Sequence, residues 1–179
     1  MLEHSIICKG CWQQMHVPIP LRGVLSLPFR LFGIKPSRMN PNTCTVCELM
    51  FTKVMRARKI SIDATVLFAD LRGYTALSQS QSPEAISGLL DAFYDEAADA
   101  IWAEDGLLNK TIGDAVMAVF NFPIRQADHA GASMRAARAI QERWTERSRH
   151  LSDELGLAAA ETSQTMLPLM TPCGAWRCA

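Results

Sequence analysis

The stretch ATVLFADLRGYTALSQ, Ala64 to Gln79, decides how the chain is read. Its first six residues, Ala64 to Ala69, are a run of apolar and β-branched types that reads as a strand. The run ends abruptly in Asp70, and the chain then turns through Leu71, Arg72 and Gly73. A carboxylate at the end of an apolar strand is costly unless a polar or positive partner meets it. It is therefore either a structural cap or a group that holds a cation.

The next segments follow with clear punctuation. Ser82 and Pro83 are an N-cap and a first-turn proline, and Ile86, Leu89, Leu90, Phe93, Ala97 and Ile101 recur at helical spacing until Gly106. LLNKTIGDAVMAVFN then reads as two strands joined by a tight turn at Gly113-Asp114, with Pro123 ending the second. A further helix is expected from about Asp128 to about Arg149. The order is strand, helix, hairpin, helix, which is an α+β pattern. If the first strand lies beside the hairpin, Asp70 and Asp114 converge at one sheet end. Two such carboxylates on an open edge suit Mg²⁺ or Mn²⁺, which also take water and phosphate oxygens. Asp at a strand end and Gly-Asp in a turn are also ordinary turn chemistry, so spacing alone leaves both readings open. The Gly73-Tyr74-Thr75 loop offers backbone N–H groups to a phosphate.

VLFADLRGYTALS together with GLLNKTIGDAVMAVFNFP resembles the first half of the catalytic domain of the class III nucleotidyl cyclases, the adenylate and guanylate cyclase family. The two motifs match in order and spacing, with the helix between them, over residues 63 to about 150. The resemblance implies a ferredoxin-like fold and a reaction that converts ATP to cyclic AMP and pyrophosphate. It implies two Mg²⁺ or Mn²⁺ ions held by Asp70, Asp114 and the Leu71 backbone carbonyl. It makes Arg72, Gly73, Tyr74 and Thr75 the phosphate turn. Lys110 stands where adenylate cyclases read the base, which favours ATP over GTP. Active sites of the family form between two subunits, so a homodimer or a heterodimer with another cyclase chain is implied. The family's later strands, with an asparagine and a transition-state arginine, have no counterpart here, so turnover by this chain alone should be crippled. An open sheet edge and uncovered apolar faces are expected to result. The alternative functions are a non-catalytic metal-binding regulatory module, or a half-site partner of a full-length cyclase.

The remaining residues divide the chain further. Residues 1–62 carry nine Lys/Arg and two Asp/Glu, whereas residues 63–124 carry two and ten. A basic segment of this kind meets nucleic acid or acidic lipid, or is a solvated face beside an acidic neighbour; the last is expected, with no nucleic-acid partner. Cys8-x-x-Cys11 and Cys44-x-x-Cys47 supply four thiolates, which suits a structural Zn²⁺ or an iron–sulfur cluster, with zinc favoured. Five of the nine prolines lie between Cys11 and Cys44, so that segment reads as loop-rich. The expected organisation is a Cys-rich segment over 1–47, a basic linker helix over 48–62, a partial cyclase domain over 63–155 that stops after the second helix, and an aberrant tail over 156–179. No apolar run is long enough to span a bilayer and no basic n-region precedes a clean apolar stretch, so a cytoplasmic location is expected.

Overall fold

Alternation along the first strand explains how the sheet is used. In the computed structural model, which describes residues 4–56, 62–155 and 171–173, β1 spans Ala64–Asp70. β2 (Leu107–Ile112) and β3 (Ala115–Phe120) form the hairpin, and β3 pairs antiparallel with both β2 and β1. Leu67 and Ala69 of β1, with Val116, Ala118 and Phe120 of β3, join one buried cluster. Ala64, Val66, Met117 and Val119 join another on the opposite face, as the two-residue pleat requires. Asp70 shares the parity of Val66, so it lies on this second face.

Two helices cover the first face. α5 (Pro83–Ala103) starts where Ser82 Oγ accepts the Ala85 N–H at 3.2 Å, and α6 (His129–Leu155) starts where Asp128 Oδ1 accepts the Gly131 N–H at 2.9 Å. These caps satisfy N–H groups that the first turn leaves unpaired. Ile86, Leu89, Phe93 and Ile101 of α5 pack with Ala132, Ala136, Ile140 and Trp144 of α6. Phe93 and Trp144 meet edge to face, with ring centroids 5.3 Å apart. Thr65 Oγ1 and His129 Nδ1 lie 2.7 Å apart, and His129 Nε2 is 3.5 Å from Asp63, so His129 fastens α6 to β1.

The short strand β4 (Thr171–Cys173) pairs antiparallel with Ala64–Val66. The order β2-β3-β1-β4 is that of a ferredoxin-like β-α-β-β-α-β sheet. The edge expected to stay open therefore carries three residues of the tail; the rest of 156–179 lies outside the described residues.

The second face is not left bare either. α1 (Lys9–Met15), α2 (Leu27–Leu31) and α3 (Thr45–Arg56) form an N-terminal unit against it. Phe51 of α3 is 1% exposed, packs with Val66, Leu107 and Val119, and lies 5.9 Å from the Phe122 ring. The Met39 carbonyl accepts the Leu108 N–H at 2.9 Å and the Trp102 Nε1–H at 2.7 Å, so β2's outer edge is partly blunted. Asn40 Nδ2 donates to the Gly106 carbonyl at 2.8 Å, and Lys9 pairs with Asp105 at 2.7 Å. That ion pair is one place where the basic segment does meet an acidic neighbour.

The segment read as loop also contains short helices. Each Cys-x-x-Cys pair opens one: Cys8 Sγ accepts the Cys11 N–H at 3.4 Å in the place a serine cap would take. Cys44 immediately precedes α3 and Cys47 lies in its first turn. The basic helix thus begins at Thr45, inside the second cysteine pair, and its expected continuation over 57–61 lies outside the described residues.

Candidate functional site

The two aspartates do meet at one sheet end. Asp70 is the last residue of β1, opposite Ala115, and the Leu71 N–H reaches the Asp114 carbonyl at 3.4 Å. Burial raises the Asp70 carboxyl above the usual carboxylate range, and the Asp114 carboxylate adds to the rise. Two hard oxygen donors held against each other form a donor set that a divalent cation relieves. The hairpin turn itself is fixed from α5: Tyr94 OH donates to the Gly113 carbonyl.

The loop after Asp70 turns where Gly73 adopts φ 76°, a conformation that a side chain disfavours. α4 (Tyr74–Ser80) begins directly after it, with Leu77 buried and half-buried Tyr74 packed on the core. Arg72 and Thr75 are exposed beside Asp70. Lys110 is exposed on β2 and pairs with Met117, so it shares the face of Asp70. Two interstrand spacings and two residues along the sheet separate their backbones by about 12 Å, enough for a small molecule to lie between. A register shift between Leu108 and Lys110 re-aims the strand at this point. Asp70, Asp114, Lys110 and the turn Arg72 to Thr75 therefore gather at one end of the sheet, with Asp70 and Lys110 on the same face, while Leu71 and Tyr74 turn toward the core under α5 and α6. Tyr94 is the residue that the sequence reading missed; on a helix with a strong apolar period, an aromatic reads as core.

The cysteine pairs form a second, separate centre. Cys8, Cys11, Cys44 and Cys47 are all buried, and their sulfur atoms all lie within 4.8 Å of one another. Cys11 Sγ lies 3.4 Å from the sulfurs of Cys44 and Cys47, Cys8 Sγ lies 3.6 Å from Cys47 Sγ, and Cys44 and Cys47 stand 3.9 Å apart. Disulfide sulfurs stand about 2.05 Å apart, so the four are free thiols. Four ligands roughly 2.3 Å from a common zinc would stand about 3.8 Å from one another. The cluster fits that tetrahedron. Burial, and then hydrogen bonding with Cys44, pushes the Cys11 thiol up, while hydrogen bonds from Cys47 and Cys8 pull Cys44 down. Among the described residues no histidine joins the group; His4 and His16 are exposed away from it. Gly10 lies against this centre, where an added Cβ would stand 2.8 Å from Cys47 Sγ and 3.3 Å from Pro123 Cγ.

Comparison with known proteins places the first centre in context. The family model described as "Adenylate and Guanylate cyclase catalytic domain" matches residues 57–157, more than half of the chain. Adenylate cyclase 1 of Rhizobium meliloti is 32% identical over 81 residues, which is 45% of this chain and 12% of that protein. An uncharacterized protein of Mycobacterium tuberculosis is 33% identical over 98 residues, 55% of this chain and 18% of its own length. The crystal structure of the guanylyl cyclase Cya2 superposes with TM-score 0.51 at 28% identity, covering 54% of this chain and 48% of that one. The chain thus spans under half of each of these relatives. No helix among the described residues is long and apolar enough to cross a membrane. Fold and family model agree, and the chain belongs to the adenylate and guanylate cyclase catalytic-domain family.

Proposed function

We propose that the chain supplies the metal- and nucleotide-binding half of an adenylate cyclase site. The observation that carries this reading is the convergence of Asp70 and Asp114 at one sheet end, inside the segment that the family model covers. Asp70, Asp114 and the Leu71 carbonyl hold two Mg²⁺ or Mn²⁺ ions, and the turn Arg72 to Thr75 receives the phosphates. Divalent cations bound there supply charge neutralisation of the triphosphate and acidify the ribose 3′-hydroxyl. In the reaction, the 3′-oxygen gives up its proton to solvent and bonds to the α-phosphorus as the bond to pyrophosphate breaks and pyrophosphate leaves. Lys110 contacts the base on the same sheet face, and its match to the base-reading lysine of adenylate cyclases favours ATP over GTP.

The groups that stabilise charge on the reacting phosphoryl come from another cyclase chain in this reading. The 179 residues by themselves therefore bind nucleotide but turn it over poorly. The cysteine cluster is a structural Zn²⁺ site that stiffens the N-terminal unit, since a metal supplies stability that a proline-rich segment lacks. Its burial and its spacing support zinc ahead of an iron–sulfur cluster.

The test is a Mn²⁺-supplemented assay for cyclic AMP from ATP. Activity should emerge on mixing with an intact family member and vanish with Asp70→Ala in this chain. Robust turnover by the pure 179 residues would refute the half-site reading. Zinc analysis of the Cys44→Ser variant tests the second centre, where unchanged metal content would remove it.

A further inference from the structure

The segment Gly23 to Ile34, GVLSLPFRLFGI, presents a surface that neither centre uses. Val24, Leu25, Leu27, Leu31 and Phe32 are 80%, 77%, 57%, 88% and 85% exposed. Five large apolar side chains within nine residues are far from the single scattered exposures that a protein surface tolerates. The segment is nonetheless well held. Ser26 is buried and donates to the Gly23 carbonyl at 2.7 Å. Phe29 and Ile34 pack on the cysteine cluster, and Thr45 Oγ1 donates to the Gly33 carbonyl at 3.0 Å. The inward-facing side chains are thus satisfied, and the outward ones form a pre-built apolar tip.

Charge identifies what the tip meets. No Asp or Glu occurs between Glu3 and Glu48. Arg30 lies within the tip, with Lys35 and Arg38 close behind, all exposed and with no ion-pair partner among the described residues. An apolar tip with a cationic collar and no acidic residue complements an anionic bilayer, where acyl chains accept the tip and headgroups the collar. An acidic groove on a protein would satisfy the collar but would leave five apolar side chains against charge.

We propose that Val24–Phe32 is a peripheral membrane anchor that inserts into the interface of anionic lipid bilayers and seats the N-terminal unit on the membrane surface. The proposal is independent of nucleotide chemistry, so it stands or falls apart from the cyclase reading. Insertion leaves the chain on one side of the bilayer, consistent with the lack of a spanning helix among the described residues.

The test is co-sedimentation of the full chain, zinc-loaded, with vesicles of phosphatidylcholine alone or of equal parts phosphatidylcholine and phosphatidylglycerol. Binding is expected only to the anionic vesicles, and it should weaken as salt is raised. The Leu31→Asp/Phe32→Asp double variant should lose on the order of a hundredfold in affinity, because two large side chains no longer enter the bilayer. Arg30→Gln and Lys35→Gln should each lose about fivefold. Both apolar positions are almost fully exposed, so the double variant should keep its zinc content and melting temperature. The proposal is overturned if the anionic vesicles do not bind the protein. It is equally overturned if the double variant binds them as before. Loss of self-association in the double variant without any vesicle binding would assign the tip to a second copy of the chain and likewise overturn it.

Discussion

Gly10→Ala sets two opposing effects against each other, and the geometry decides between them. Gly10 lies in α1, where alanine ordinarily stabilises a helix by about 0.5–1 kcal/mol. Here the new methyl carbon would stand 2.8 Å from Cys47 Sγ and 3.3 Å from Pro123 Cγ. Comfortable contacts lie at about 3.5–4.0 Å, so Cys47 would have to retreat by about 1 Å. It has little room, because the other three cysteine sulfurs stand 3.4–3.9 Å away. Overpacking of this kind costs about 1–3 kcal/mol, which exceeds the helical gain. The expected net loss is about 1–2 kcal/mol, together with weaker metal retention because one ligand leaves the tetrahedron. Urea unfolding of the zinc-loaded protein, followed with a zinc-release assay, measures both. A variant that unfolds at the same or higher urea concentration and keeps its zinc would refute the packing argument.

Three further outcomes are expected. Phe51→Ala should cost about 3–5 kcal/mol in urea unfolding, because the ring is fully buried between α3 and the sheet, and hydrogen exchange at Leu107 and Leu108 should accelerate. Asp128→Ala should lower the melting temperature at neutral pH. The Gly131 N–H and then Arg135 depress the Asp128 carboxyl, so its contribution is present above the ordinary carboxylate pKa and is lost as pH falls through the folded value; the variant and the parent should converge in acid. Lys110→Glu should weaken ATP binding relative to GTP by on the order of tenfold in a competition assay, the loss of one charged hydrogen bond.

How far the sequence revealed this molecule depended on how local each signal was. The catalytic half was readable because its elements announce themselves: Ser82-Pro83 and Asp128 mark helix starts, Gly113-Asp114 marks the turn, and the apolar residues of α5 keep helical period. Asp70 and Asp114 were readable as a pair because the strand-helix-hairpin order brings β1 beside β3. Cysteine is not among the usual caps, so the helix that opens at Cys8 was hidden, and the basic helix expected from residue 48 starts three residues earlier, at Thr45. The docking of Phe51 on Phe122 joins residues 71 positions apart by apolar contact alone, which leaves no periodic trace. The coverage of the second sheet face was hidden for the same reason. A three-residue strand such as β4 is too short to carry a pattern at all.

In the proposed function, Asp70 and Asp114 together hold a metal–nucleotide complex. Titration of the zinc-loaded chain with Mn²⁺ in the presence of a non-cyclisable ATP analogue, followed by the electron paramagnetic resonance signal of free Mn²⁺, tests it most directly. Saturable Mn²⁺ uptake is expected, and it should be lost in both Asp70→Ala and Asp114→Ala while the melting temperature holds. Equal uptake by the parent and the two variants, or none by the parent, would contradict it.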